Sequence, residues 1–142
     1  MDRGLGVDTL ETATTWSNVG ALHRAVRSAL ETAMRTAAPV KGAQGIVLAH
    51  ISHAYADGAS LYFTFIFPRD LTHPLRQWLA VKTAASEAIV AGGGTISHHH
   101  GVGEDHAAWL EPEKGAIGLA VLRAIKRELD PKGVLNPGKM LA

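Results

Sequence analysis

Apolar and polar positions alternate loosely along Leu5-Gly6-Val7-Asp8-Thr9-Leu10-Glu11-Thr12, the period of a strand entering a domain. From Trp16 the period changes. Val19, Leu22, Val26, Ala29, Leu30 and Ala33 fall at the three-and-four spacing of one buried helical face, with Thr15 or Ser17 placed to cap its start and Pro39 and Gly42 to end it. Residues 45–53 and 60–67 are rich in branched and aromatic side chains and read as two strands, joined in the manner of a hairpin by Ala56-Asp57-Gly58-Ala59. A second helix is predicted over 72–91, with Pro74 in its first turn and Leu75, Trp78, Leu79, Ala85 and Ile89 as its face. Gly92-Gly93-Gly94 stops it. A third helix is predicted over 112–129, carrying Ile117, Ala120, Val121, Ala124 and Ile125 on one side, before a turn-rich tail from Val134 to Leu141. The order predicts an α+β fold of ferredoxin-like kind: an antiparallel sheet with helices packed on one face, formed by residues 1–142 as a single domain.

Composition sharpens this picture. Nearly half the residues are apolar and 14 basic groups nearly balance 13 acidic ones, so the chain is expected to fold and has no electrostatic reason to bind nucleic acid. It has no cysteine, which excludes disulfides and thiolate metal sites and fits a reducing, cytoplasmic setting. No run approaches the ~20 apolar residues that span a bilayer. The unusual feature is eight histidines, three of them consecutive in Ser97-His98-His99-His100-Gly101-Val102-Gly103.

Imidazoles titrate near neutrality and exchange protons with a substrate or with another acid-base group, and the glycines allow a flat ligand to approach the backbone. On residues alone, a polar loop of surface histidines and a metal site stay open beside that reading. Consecutive residues on an extended chain point to opposite sides, so the triple histidine by itself does not supply three convergent ligands. Tyr55, beside the predicted hairpin turn, is either a pocket acid-base group or an ordinary tyrosine at a sheet edge.

Three segments together carry a resemblance. Tyr55, Gly58, Tyr62, Phe63 and Phe65, then Gly93 to Gly103, then Leu129-Asp130-Pro131 and Asn136 resemble the C-terminal domain of FAD-linked oxidases, in the vanillyl-alcohol oxidase superfamily. The Ser-His-His-His-Gly run is most like the alkyldihydroxyacetonephosphate synthase branch.

The resemblance implies a cap domain that covers the flavin of FAD and builds a cavity for a lipid-like substrate. In that branch an acyl chain is exchanged for an alkyl chain in ether-lipid formation, through a flavin adduct and without net redox change. It implies Tyr55 as the proton-transfer residue, with His99 and His100 as its nearest partners. His98, His99, His100, Gly101 and Asn136 would stand against the cofactor. A competing branch oxidises hydroxyacids or alcohols and commonly holds a divalent metal through paired histidines on the hairpin. Those paired histidines are lacking here, and a histidine, His99, stands in that branch's glutamate position, so no metal is expected.

The expectation is that no glycine-rich FAD-binding domain precedes Met1. The chain is accordingly expected to be a fragment that turns over only with that domain as its partner and does not retain FAD alone. Its exposed cavity walls would favour a homo-oligomer, and a membrane-peripheral placement of the longer enzyme is left open. A free-standing α+β binding or oligomerisation module is the alternative from another class.

Overall fold

The computed structural model describes residues 4–141; Met1–Arg3 and Ala142, included in the predicted domain, lie outside the described residues. Strand β1 spans Leu5–Thr15, helix α1 Trp16–Thr36, β2 Ile46–Ala54, β3 Gly58–Pro68, helix α2 Pro74–Ala91 and helix α3 Leu110–Leu129, the last entered through a single 3-10 turn at Ala107–Trp109. The sheet is antiparallel throughout, in the order β1-β3-β2. Among the described residues this β-α-β-β-α course is the ferredoxin-like one without a last strand; the glycine-histidine segment follows α2 instead.

Helices α1 and α2 cover one face of the sheet. Leu22, Val26, Leu30 and Met34 of α1 and Val81, Ala85 and Ile89 of α2 pack on Leu10, Val47, Leu61, Phe63, Phe65 and Phe67. Burying an aromatic side chain of this size stabilises the fold by about 1.5–3 kcal/mol, so the β3 phenylalanines dominate the core. Ile96, from the segment after α2, is part of the same cluster and ties that segment to the core.

Three expectations are corrected. Thr15 occupies the N-cap position of α1 but makes no capping bond; the amide of Trp16 donates instead to the carbonyl of Asp57 in the hairpin at 3.1 Å. On α2, Leu75 and Leu79 are exposed, while Gln77, Lys82 and Ser86 are buried. Their neighbours satisfy the first two. Gln77 Nε2 donates to the carbonyls of Pro68 and Ala37 at 2.8 and 3.1 Å, and Lys82 Nζ donates to Thr9 O at 2.9 Å and pairs with Asp8 at 3.0 Å. Buried polar groups are tolerated when hydrogen-bonded, and here they displace the leucines from the inner face. Finally, α3 is interrupted at Gly115 (φ 71°), and the predicted stripe of Ile117, Val121 and Ile125 faces outward, with Ile117 82% exposed.

Candidate active site

The other face of the sheet, away from α1 and α2, carries polar chemistry. Glu11 of β1 lies in register with Tyr62 of β3, which lies in register with His50 of β2. One step along, β2 contains an extra residue between Ile51 and Ala54. A bulge of this kind re-aims a side chain. Here the consecutive residues Ser52 and His53 both reach Glu11, which regular alternation forbids.

The histidine segment is laid along β1 by backbone bonds. Thr95 N donates to Ala13 O at 3.0 Å and His98 N to Glu11 O at 3.2 Å. Thr12 Oγ1 returns a bond to Thr95 O at 2.7 Å. Glu113 of α3 fixes the segment from outside, accepting from Ile96 N at 2.6 Å and from Thr95 Oγ1 at 2.9 Å. Burial raises the pKa of Glu113, but these donors and Lys114 outweigh it, and the net direction is downward.

Within the segment His99 has a φ of 58°, left-handed, so the chain is not extended there. The alternation argument therefore fails locally, and the rings of His98 and His99 stack on the same side with centroids 4.0 Å apart. His53 joins them from β2, its centroid 4.5 Å from that of His99. Ring nitrogens of His53, His98 and His99 lie within 4.8 Å of one another, close enough in distance for one metal ion. Both nitrogens of His98, however, already face partners: Nδ1 lies 3.3 Å from Glu11 Oε1 and Nε2 3.1 Å from the hydroxyl of Tyr55. A metal would have to displace one of them, so the arrangement suits proton transfer better.

Glu11 is the hub. Its side chain is almost wholly buried, yet Ser52 Oγ donates to it, and His53 Nδ1, His98 Nδ1 and His100 Nε2 stand 3.4, 3.3 and 3.3 Å from its oxygens. Burial alone raises the pKa of such a group. Polar contacts with Ser52, Ser60, His98 and His53 outweigh that effect and lower it to about 2. Glu11 is thus an anion at neutral pH, ringed by imidazoles.

Tyr55 is held from three sides. Its amide donates to Gly58 O at 2.8 Å, its carbonyl accepts from Trp16 Nε1 at 2.9 Å, and its hydroxyl meets His98. The hairpin comes this close to β1 because residue 58 is glycine: a Cβ there would lie 2.2 Å from Thr14 O.

The structure therefore brings together Tyr55, His98, His99 and His100, but in a different arrangement from the one expected. The histidine at the tyrosine is His98. His99 stacks between His98 and His53, and His100 reaches Glu11 and the edge of Tyr62. Gly101 follows in a left-handed conformation, its carbonyl accepting from Ser97 Oγ at 2.7 Å. Asn136 is not gathered in. Its carbonyl accepts from Lys139 N within the tail, and the tail's return to the glycine segment is made by Met140 N on Gly103 O at 3.0 Å. Glu11, Ser52 and His53 escaped sequence reasoning; their convergence depends on pairing across 41 residues and on the bulge.

Comparison with known proteins places this architecture. The family model "FAD linked oxidases, C-terminal domain" matches residues 1–140, and the chain belongs to that family. Within it, the chain is 37% identical to an alkyldihydroxyacetonephosphate synthase of Caenorhabditis elegans, over 99% of this chain and 24% of the relative. It is 34% identical to one from Trypanosoma brucei brucei, over 94% of the chain and 21% of the relative. A solved alkyldihydroxyacetonephosphate synthase structure superposes with a TM-score of 0.64 at 25% identity, covering 96% of this chain and 21% of that one. The chain thus spans about a quarter of the length of the curated relatives it matches.

The residues present fit one end of a flavin. Imidazole and phenol groups cluster on an uncovered sheet face, suited to the edge of a flat heteroaromatic ring. The glycine segment opens on a cavity of about 330 Å³ lined by Asp8, Thr9, Lys82, His100 and His106. Its one lysine is already committed to Asp8 and Thr9, so this rim offers no free cation for the cofactor's pyrophosphate. His106 beside it is pushed toward the neutral form, first by burial and then by the charge of Lys82. Among the described residues no helix is long and apolar enough to cross a membrane.

Proposed function

We propose that this chain forms the substrate-side wall over the flavin of an FAD-dependent enzyme of the alkyldihydroxyacetonephosphate synthase kind, in which Tyr55 carries the substrate's proton. The observation that carries the reading is the 3.1 Å contact between the Tyr55 hydroxyl and His98 Nε2, at a site otherwise filled by imidazoles around one anion. His98, His99, His100 and Gly101 would stand against the cofactor, which belongs to a partner FAD-binding domain of the same enzyme. When bound, FAD supplies the electrophilic ring at which one substituent of the substrate is exchanged for another.

This chain's own residues perform the proton work. The hydroxyl of Tyr55 passes its proton to His98 Nε2, and the phenolate then removes a proton from the substrate. The reverse transfer returns it, with no net oxidation. The open sheet face, where Val7, Ile46 and Leu48 are exposed, provides apolar surface for a long-chain substrate.

In protein containing both domains, Tyr55→Phe is expected to lower turnover by about 10²-fold or more while leaving FAD bound. A fully active variant refutes the role. A second reading is supported by the 45% identity, over 56 residues, to a glycolate oxidase subunit of Bacillus subtilis: oxidation of a hydroxyacid. Formation of hydrogen peroxide or of a reduced acceptor during turnover would select that reading; exchange without either supports the synthase-like one.

A further inference from the structure

We infer that Glu11 is the positioning residue of this site: its carboxylate holds His98 in the Nδ1–H tautomer and thereby leaves Nε2 as the acceptor for the Tyr55 hydroxyl. The inference rests on the reading of Tyr55 as proton carrier and adds the group that makes the transfer possible.

A neutral imidazole has one N–H and one lone pair, and a fixed partner at one nitrogen decides which nitrogen has which. His98 Nδ1 is buried and, among the described residues, lacks a well-aligned hydrogen bond; Glu11 Oε1 stands 3.3 Å from it. If Nδ1 carried the lone pair, it would face an anion at that distance, and Nε2–H would point at the tyrosine oxygen. Both contacts would then be wrong for proton transfer from Tyr55. With the proton on Nδ1, both become favourable: Nδ1–H faces the carboxylate and Nε2 accepts from Tyr55.

The transfer then balances. The Tyr55 O–H bond breaks and an Nε2–H bond forms. His98 keeps its Nδ1–H, and its new positive charge lies against Glu11. No electron changes hands.

The surroundings are built to keep Glu11 in place. Ser52 donates to Oε1 and is itself joined to Ser60 Oγ at 2.6 Å, while His100 Nε2 approaches Oε2. The bulge in β2 brings Ser52 and His53 to the same carboxylate. This is the carboxylate–imidazole–hydroxyl order of a proton relay, with the hydroxyl on a tyrosine and its members drawn from β1, the histidine segment and the hairpin.

The test reads the tautomer directly. In the full chain labelled with 15N at histidine, the ring nitrogen shifts of neutral His98 are expected to show Nδ1–H; in Glu11→Leu, Nε2–H is expected to become the major form. An Nε2–H tautomer in the unaltered protein overturns the inference, as does an unchanged tautomer in the folded variant. If Glu11→Leu fails to fold, the unaltered protein alone decides.

With the flavin domain present, Glu11→Leu should lower kcat at least about tenfold with KM little changed, and Glu11→Asp should recover part of the loss. A loss confined to KM, or an Asp variant no better than Leu, also counts against positioning. The two readings fail separately. A fully active Tyr55→Phe with His98 still Nδ1–H removes the proton-carrier role and leaves the tautomer assignment standing; the converse result spares Tyr55 and removes Glu11.

Discussion

The two faces of one small sheet are built on opposite terms. Leu10 and Glu11, Phe63 and Tyr62, Ala49 and His50 are neighbours in sequence, yet each pair divides between the faces, and the three members of each set lie in register. Toward α1 and α2 the positions are apolar and closely packed. Away from them stand a buried carboxylate, two serines, two tyrosines and a group of histidines, held by hydrogen bonds rather than by apolar contact. The first face determines whether the chain folds, and the second determines what it can do. Substitutions on the two should therefore separate stability from chemistry.

The largest effect on stability belongs to the helix-covered face. Phe63 is fully buried, and Phe63→Ala removes a ring that the surroundings do not fill. It should cost about 3–5 kcal/mol, read as a lower denaturant midpoint at unchanged slope. A cost below about 1 kcal/mol would mean that the two faces are not unequal in the way described.

A smaller effect, confined to acid, belongs to Glu11. Its folded pKa of about 2 lies below the ordinary 4.5, so the stability it contributes is complete above about pH 4.5 and is lost as pH falls toward 2. Glu113, Asp70, Glu104 and Asp130 are lowered too and share part of that window. The difference between the unaltered protein and Glu11→Gln isolates the one carboxylate: the variant's unfolding free energy should fall less steeply between pH 4.5 and 2. Identical slopes would show that the imidazoles and Ser52 do not stabilise the anion.

How much of this was legible in sequence follows the same division. The helix-side face was read correctly for α1, where a regular three-and-four spacing meets a regular sheet, and the antiparallel α+β fold followed from it. Legibility ended where burial is decided by hydrogen bonding. Gln77 and Lys82 displace Leu75 and Leu79 from the inner face of α2 because carbonyls of Pro68, Ala37 and Thr9 await them, and no local pattern announces that. The candidate site was found through its conspicuous histidines and Tyr55. Its centre was missed, because a single glutamate in a strand carries no local sign that Ser52, His53, His98 and His100 will converge on it. The one-residue bulge and the left-handed His99 are likewise outcomes of tertiary pairing, and each reverses an alternation that an extended chain would impose.

The smallest effect sharpens the comparison from outside the sheet. Ile117, Val121 and Ile125 repeat the spacing by which α1 buries its leucines, but on α3 the stripe faces outward. Periodicity reports that a helix has an apolar side; it does not report what lies against that side. In this chain alone Ile117→Ser should change the unfolding free energy by no more than about 0.5 kcal/mol, since an exposed side chain gives up little on truncation. A cost of several kcal/mol would mean that the stripe is covered in solution. If that cost vanishes on dilution, the cover is another copy of the chain; if it persists, it comes from the same molecule. Either result would turn α3 from an outlying helix into part of the packed face, and the contrast between a face that holds the fold and a face that does chemistry would no longer be confined to the sheet.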